Sequence, residues 1–463
     1  MRQLLIHTSD IKKSRSFQVI ALVNTLFFSG YYVIKCPLAY VLQSNGMDQI
    51  SSYSLSSTAN IIFAVCSLVF GVALRNFKTQ KLALIIGVFF STVSLGLLST
   101  GIPFLIKVAV TFYILGGSLY FFSITLLVNK QFDVTYQRLR GNFIYQILVN
   151  FGGFIGELLF FLEINLNSSK HLFLYAIMIC LLSLIILVLN VKNIYDDQTT
   201  LPGIKRFLHT LIMLFLIVYF ALQFESIVRV VIIVFFILAA FYIIYKAKKN
   251  QYFALVRFLG LIFLFSIPYW TAYMFMYNEF FDFLSKDVGT VWGLSGNALL
   301  LLNPITNILF GLLTITPFFL QRLAPSQYLN IGLFLILCAF LVVTLSVKYS
   351  IHTLNPWFPA VAIILYSIAE FLIQSILNSS VSDILHSSEN QTLGLGMLRS
   401  SRSFAAAIAY YFMTYHVHIH TAYYSATEEV EAAYYTYALF SGVLVVFFLL
   451  AVTQSKRLLR MSN

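Results

Sequence analysis

LNIGLFLILCAFLVVTLSV, residues Leu329–Val347, runs for nineteen positions without one Asp, Glu, Lys or Arg. A bilayer core about 30 Å thick is crossed by roughly 20 helical residues, so this run has the length and chemistry of a membrane span. Leu211–Gln223 with its flanks reads the same way. Backbone groups in lipid have no water to bond, which leaves helices or closed barrels. These runs lack the short alternation of barrel strands, so the chain is expected to be all-α. Composition agrees: of 463 residues 60% are hydrophobic and only 10% charged, far from the balance of a soluble domain.

Outward from that stretch, apolar runs between polar breaks predict six spans near 17–42, 54–74, 82–99, 103–128, 141–162 and 171–191. Six more are expected near 252–278, 294–319, 329–347, 356–378, 395–415 and 434–453, with two between the sets near 207–223 and 227–245. The reading is fourteen spans in three parts: 1–191 as an N-terminal six-helix bundle, 192–250 as a linker carrying two extra helices, and 251–463 as a C-terminal six-helix bundle. The N-terminal stretch Met1–Phe17 is polar and basic without a leader-cleavage pattern, so the first span is expected to stay in the mature protein.

Basic residues test this order, because cytoplasmic loops retain Lys and Arg. With the N-terminus inside, the inner segments hold 21 of the 29 basic residues, the outer ones five, and three lie within spans. Both termini are then cytoplasmic, as in a multi-pass protein of a bacterial inner membrane. The net charge of +12 is accounted for by topology, with no nucleic-acid partner implied. Cys36, Cys66, Cys180 and Cys338 all fall in apolar runs, where packing rather than a disulfide framework is their expected role. Gly116–Gly117, Gly152–Gly153 with Gly156, and Gly394 with Gly396 fit close helix crossings.

Ionisable groups inside a bilayer are costly and therefore informative. Here they are Lys35, Glu157, Glu370, Arg399 and Arg402. Lys35 is either a ligand for an anionic group or a side chain reaching the outer interface, while Glu370 sits mid-span with no interface near. Arg399 and Arg402 are three apart and share a helix face, so with Glu157 they are candidates for gate or ion-pair contacts. Pro268 and Pro304 interrupt spans, consistent with kinks that hinge or line a cavity. His416, His418 and His420 alternate at an outer helix end without other ligand types nearby, so no metal site is expected. No nucleotide loop or nucleophile motif is present, which argues against a pump or a membrane enzyme.

The combination of these features resembles the proton-dependent oligopeptide transporters of the major facilitator superfamily, whose bacterial members insert two helices between six-helix bundles. Tyr31–Tyr32 followed by Lys35 resembles the family's Tyr-Tyr-Gly-Met-Arg stretch in the first helix. Asn150–Phe151–Gly152 is similar to its Asn-x-Gly, Asn303–Pro304 to its Asn-Pro, and Tyr366 through Ala369–Glu370 to its Tyr-x-x-Gly-Glu. The resemblance implies a cation at Lys35 facing a peptide carboxylate and an anion at Glu370 facing its amino terminus. Tyr31, Tyr32, Asn150, Trp270 and Asn303 complete the expected substrate-binding set.

The departures fall on charged positions. The family's Glu-x-x-Glu-Arg aligns with Asn24, Phe27 and Phe28, its fourth-helix lysine with Phe121, and its seventh-helix glutamate near Met274; Arg75 stands where the facilitator loop has Asp. Glu370 is then the proton-coupling candidate, with no cofactor beyond a possible proton gradient. The leading expectation is a secondary transporter, monomeric in the bilayer, for a small polar, peptide-like or zwitterionic solute. A siderophore, amino acid or other metabolite as cargo, and a transport-inactive receptor on the same fold, stay open at this stage.

Overall fold

In a computed structural model the chain is described over residues 11–35, 38–77, 80–132, 135–165, 169–194, 204–249, 253–276, 290–291, 294–316, 323–349, 356–385, 394–409 and 426–459. Almost all of these are helical. The first part of the chain supplies α1 (Ile11–Lys35), α2 (Leu38–Ser44), α3 (Gln49–Phe77), α4 (Gln80–Ser99), α5 (Pro103–Lys130), α6 (Thr135–Asn165) and α7 (Ser169–Asn190). Then come α8 (Ile204–Ala221) and α9 (Glu225–Lys249), followed by α10 (Phe253–Leu261), α11 (Ile267–Met274), α12 (Leu302–Thr314), α13 (Pro325–Tyr349), α14 (Trp357–Ile384), α15 over 394–409 and α16 (Ala426–Leu458). Eleven helices among the described residues are long and apolar enough to cross a membrane.

Three of the expected spans are not simple rods. The span expected over 17–42 is α1 ending at Lys35 and the separate short α2. The one expected over 252–278 passes through a π-helical turn, Ile262–Ser266, between α10 and α11. Pro268 supplies the reason: it has no N–H to return to the carbonyl four residues back, so the wider turn absorbs the mismatch. The span expected over 294–319 begins as a 3-10 turn, Gly296–Leu301, and becomes α-helical only from Leu302. Beside it lies a two-residue antiparallel pairing, Thr290 with Ser295 and Val291 with Leu294.

Packing follows the side chains. α5 carries small and aromatic residues on every face and is buried along nearly its whole length among α3, α4 and α8. α1 lies against α6 and α7, α13 against α14 and α16, and α12 bridges α6 and α14. Close crossings are made where glycine removes the side chain. At Gly156 of α6 an added Cβ would stand 2.7 Å from the Ser29 carbonyl oxygen of α1, and at Gly152 2.5 Å from that of Thr25. In lipid, where hydrophobicity does not drive helices together, such backbone contact is a principal source of association. Gly156→Leu is therefore expected to separate α1 from α6, at a cost of roughly 1–3 kcal/mol, and to lower the detergent melting temperature. Gly442→Leu, with open space around it, is the control expected to melt like the parent.

The α8–α9 hairpin packs on the flank, against α3, α5 and α10. Phe220 and Phe235 are 59% and 48% exposed, as lipid-facing side chains of an edge element should be. Glu225 and Arg229 belong to the first turns of α9. Arg229 is buried, donating to Ser54 Oγ and Thr58 Oγ1 of α3 at 3.2 Å each, and Ser54 also donates to the Glu225 carboxylate. The hydroxyls of α3 and the acid one turn earlier explain why a guanidinium is tolerated there.

Candidate functional site

Glu370 projects from the middle of α14 and is 6% exposed. Tyr269 Oη donates to its Oε1 at 3.0 Å, and Gln374 Nε2 donates to the same oxygen at 3.0 Å. Asn303 Nδ2 donates to Oε2 at 2.8 Å and Asn307 Nδ2 at 3.4 Å. Gln374 also donates to the Tyr269 hydroxyl. Four donors on two oxygens satisfy a carboxylate anion with no water required. Three elements build this cage: α11, turned by the π-helical segment before it, α12, and α14 itself. Asn303 and Asn307 stand four apart on α12, as do Glu370 and Gln374 on α14, so each pair shares a face.

The cage is tied to the first half of the chain. Asn307 donates to Asn150 Oδ1 of α6 at 3.2 Å, and Asn150 donates back to the Gln146 carbonyl of its own helix at 2.8 Å. Lys35, in the last turn of α1, is within electrostatic reach of Glu370. Its Nζ donates to Tyr32 Oη at 2.7 Å and lies 4.1 Å from the Tyr32 ring centre and 5.5 Å from that of Phe121. Glu157 is buried on α6 one residue beyond Gly156, in the seam that α6 forms with α1.

Arg399 and Arg402 lie on one face of α15, as their spacing predicts, but the partners they show are neutral. Arg402 Nη2 donates to Asn60 Oδ1 of α3 at 3.2 Å, and its guanidinium lies 4.7 Å from the Trp270 ring centre, 5.4 Å from Tyr273 and 5.6 Å from Phe63. Arg399 Nη2 donates to Thr125 Oγ1 of α5 at 2.9 Å. Trp270 thus reaches the site by packing on Arg402 and, 4.8 Å centre to centre, on Tyr269.

Of the expected set, Asn303 bonds Glu370 directly, Asn150 joins it through Asn307, and Lys35, bonded to Tyr32, lies within electrostatic reach. Tyr31 turns the other way, stacked 5.0 Å from Tyr113 and 5.1 Å from Phe27. Phe27, Phe28 and Phe121, standing where the resembled family carries charge, form an aromatic mass with Tyr120, the Phe27 and Tyr120 rings stacking at 3.7 Å. Tyr269, Asn307 and Gln374 were not expected from sequence; a four-residue spacing puts Asn307 on the face of Asn303 and Gln374 on that of Glu370, while nothing local marks Tyr269. No group of three metal-ligand side chains occurs among the described residues, and His416, His418 and His420 lie outside them.

Towards the α5–α6 connection the halves are closed against each other. Phe143 and Ile147 of α6 meet Phe371 of α14, with the Phe143 and Phe371 rings 5.2 Å apart. Beyond them Arg138 Nη1 pairs with Asp383 Oδ1 at 2.7 Å, each side chain 14% exposed. Asn129, held by Asn142 at 2.9 Å, donates to the Asn378 carbonyl at 3.4 Å.

Neither a protein-family model nor a curated protein matches the chain in sequence. Solved structures do match its shape. A POT family transporter in complex with a thioalcohol-conjugated peptide is 16% identical with a TM-score of 0.77, over 96% of this chain and 97% of that one. A bacterial homologue of the human drug peptide transporters PepT1 and PepT2 is 16% identical at 0.75, over 96% and 98%. A POT family transporter in complex with 5-aminolevulinic acid is 15% identical at 0.75, over 96% and 97%. Identity this low shows the fold alone, and the fold is shared with these transporters.

Proposed function

We propose that the chain is a secondary transporter that moves a small zwitterionic, peptide-like solute across the membrane by alternating access to the Glu370 site. The carrying observation is the buried, donor-caged Glu370 carboxylate within electrostatic reach of the half-buried Lys35 ammonium, two groups supplied by opposite ends of the chain. A solute amino group would take over from the amide donors at Glu370, and its carboxylate would take the Lys35 ammonium from Tyr32. The likeness in fold to transporters solved with a conjugated peptide and with 5-aminolevulinic acid supports a solute bearing both groups. Solute-dependent uptake into proteoliposomes holding the full chain tests the reading. No uptake of any small peptide, with or without a pH gradient, would refute it.

Glu370 is also the place for proton coupling. Each neighbouring amide presents an acceptor as well as a donor, so rotation of Asn303 or Gln374 would let the cage hold a carboxylic acid in place of a carboxylate. Phe27, Phe28 and Phe121, aromatic where the family has charge, favour one second reading: a metabolite with an apolar body in place of a peptide backbone, on the same transport cycle.

Fourteen crossings fit the architecture. To the eleven spanning helices are added two shorter apolar ones, Ser54–Phe70 and Ala298–Thr314, and α15. They divide as two bundles of six, in 1–191 and 251–463, around the hairpin in 192–250, in a monomer of a bacterial inner membrane. Both termini and the segments 192–206 and 246–250 then face the cytoplasm. Single cysteines placed in those two segments are expected to resist impermeant labelling from outside; labelling of either would overturn the count.

A further inference from the structure

We infer that Arg402, with Arg399 one turn away, is an anion-binding subsite of the central chamber, and that the solute carries a second acidic group and net negative charge. This rests on the transport reading above and narrows its substrate class. Charge balance is the first support. Among the described residues, Arg399 and Arg402 are two cations inside α15 whose hydrogen-bond partners are neutral, while Lys35 closes α1. An excess positive charge in a low-dielectric interior is costly until an anion joins it.

The geometry of Arg402 is the second support. The side chain is 7% exposed, and among the described residues its Nη2 has the neutral acceptor Asn60 while its Nε has no hydrogen-bond partner. A guanidinium carries five donors in a planar fork suited to a carboxylate. Here one face of that fork lies over Trp270, which fixes the plane, as cation–π packing does, without neutralising the charge. Arg399 is half-buried against a hydroxyl, with its Nε unpartnered among the described residues. These positions are linked to the Glu370 cage by a single aromatic step, since Trp270 packs on Tyr269 and Tyr269 donates to Glu370. Ser401, on another face of α15, is hydrogen-bonded to Ser266 of the π-helical turn at 2.6 Å, which ties this helix to the element that carries Tyr269 and Trp270. A solute spanning from Glu370 past Trp270 would place a side-chain carboxylate at Arg402.

The test compares Ala-Glu, Ala-Gln and Ala-Lys, together with glutarate, in direct binding to the full chain in nanodiscs. Ala-Glu and Ala-Gln differ in charge and hardly in shape. Ala-Glu is expected to bind about 10-fold or more tighter than Ala-Gln, the scale of one charge-assisted contact, with Ala-Lys weakest. Arg402→Gln should bring the Ala-Glu to Ala-Gln ratio close to one, and Arg402→Lys, which keeps the charge but loses the fork, should leave an intermediate ratio. That intermediate value separates loss of the contact from loss of the fold. Equal binding of Ala-Glu and Ala-Gln by the parent, or an unchanged ratio in Arg402→Gln, would overturn the inference and leave the transport reading intact. Binding of glutarate but of no dipeptide, sensitive to Arg402→Gln, would uphold the anion subsite and refute the peptide reading. No binding of glutarate or Ala-Glu would overturn the subsite.

Discussion

Glu370→Gln is expected to lower the affinity for solutes with a free amino group by about 100-fold and to abolish accumulation driven by a pH gradient. A carboxamide has the same shape but presents an N–H where one carboxylate oxygen stood, so either Tyr269 with Gln374 or Asn303 with Asn307 meets a donor instead of an acceptor. The neighbouring amides can turn to limit that cost, and the protein should fold. What cannot be replaced is the negative charge opposite the ammonium, and about 2–3 kcal/mol for a charge-assisted pair corresponds to the stated loss. Equilibrium binding and proteoliposome uptake, with the pH gradient imposed and collapsed, measure the two effects separately. Parental transport by the variant would remove Glu370 from the mechanism. Lys35→Ala should show the complementary pattern, weakening solutes with a free carboxylate more than their amidated analogues.

Asp383→Asn is expected to open the molecule on the side of the α5–α6 connection. The Arg138–Asp383 pair is mostly withdrawn from water, so removing the acid leaves a desolvated guanidinium whose charge the Phe132 carbonyl, at 3.4 Å, does not balance. Losing one partner of such a pair costs on the order of 1–3 kcal/mol, enough to shift a two-state equilibrium roughly 10-fold or more. The readout is the labelling rate of a cysteine replacing Ile147, which sits in the adjoining apolar contact with Phe371. The rate should rise in Asp383→Asn and return towards the parent in the exchanged pair Arg138→Asp with Asp383→Arg. An unchanged rate in the single variant would mean that the pair does not hold that side closed.

The parts of the fold that sequence reveals are those set by length and apolarity. Leu329–Val347 can hardly be anything but a span, and it lies within α13 as expected. Breaks within spans were harder to see. The π-helical turn at Ile262–Ser266 differs from α-helix by one hydrogen-bond step and leaves no mark on composition, although Pro268 pointed to its neighbourhood. At the site, isolated charges were legible because the bilayer makes each one expensive. Tyr269, Asn307 and Gln374 were not, since neutral polar groups are common in apolar helices and matter only once helix rotation aims them at one point. Arg399 and Arg402 were correctly assigned a shared face, but no local pattern could give their partners, because Asn60 and Thr125 lie far back along the chain.

The anchoring of α9 to α3 through Arg229, Ser54, Thr58 and Glu225 has a mechanical consequence. On the other flank α9 packs on α10 and meets α15 through the apolar stack of Phe236 on Phe404 at 4.7 Å. A rocking motion between the halves would therefore carry the hairpin along with α3, as a blade swept sideways through the acyl chains. Each turnover then displaces lipid, and the work grows with how tightly that lipid is packed. Turnover should slow in ordered, saturated bilayers and quicken in fluid ones, while solute affinity at equilibrium stays the same. Membrane viscosity would become a brake on the cycle, set by two helices on the flank of the molecule.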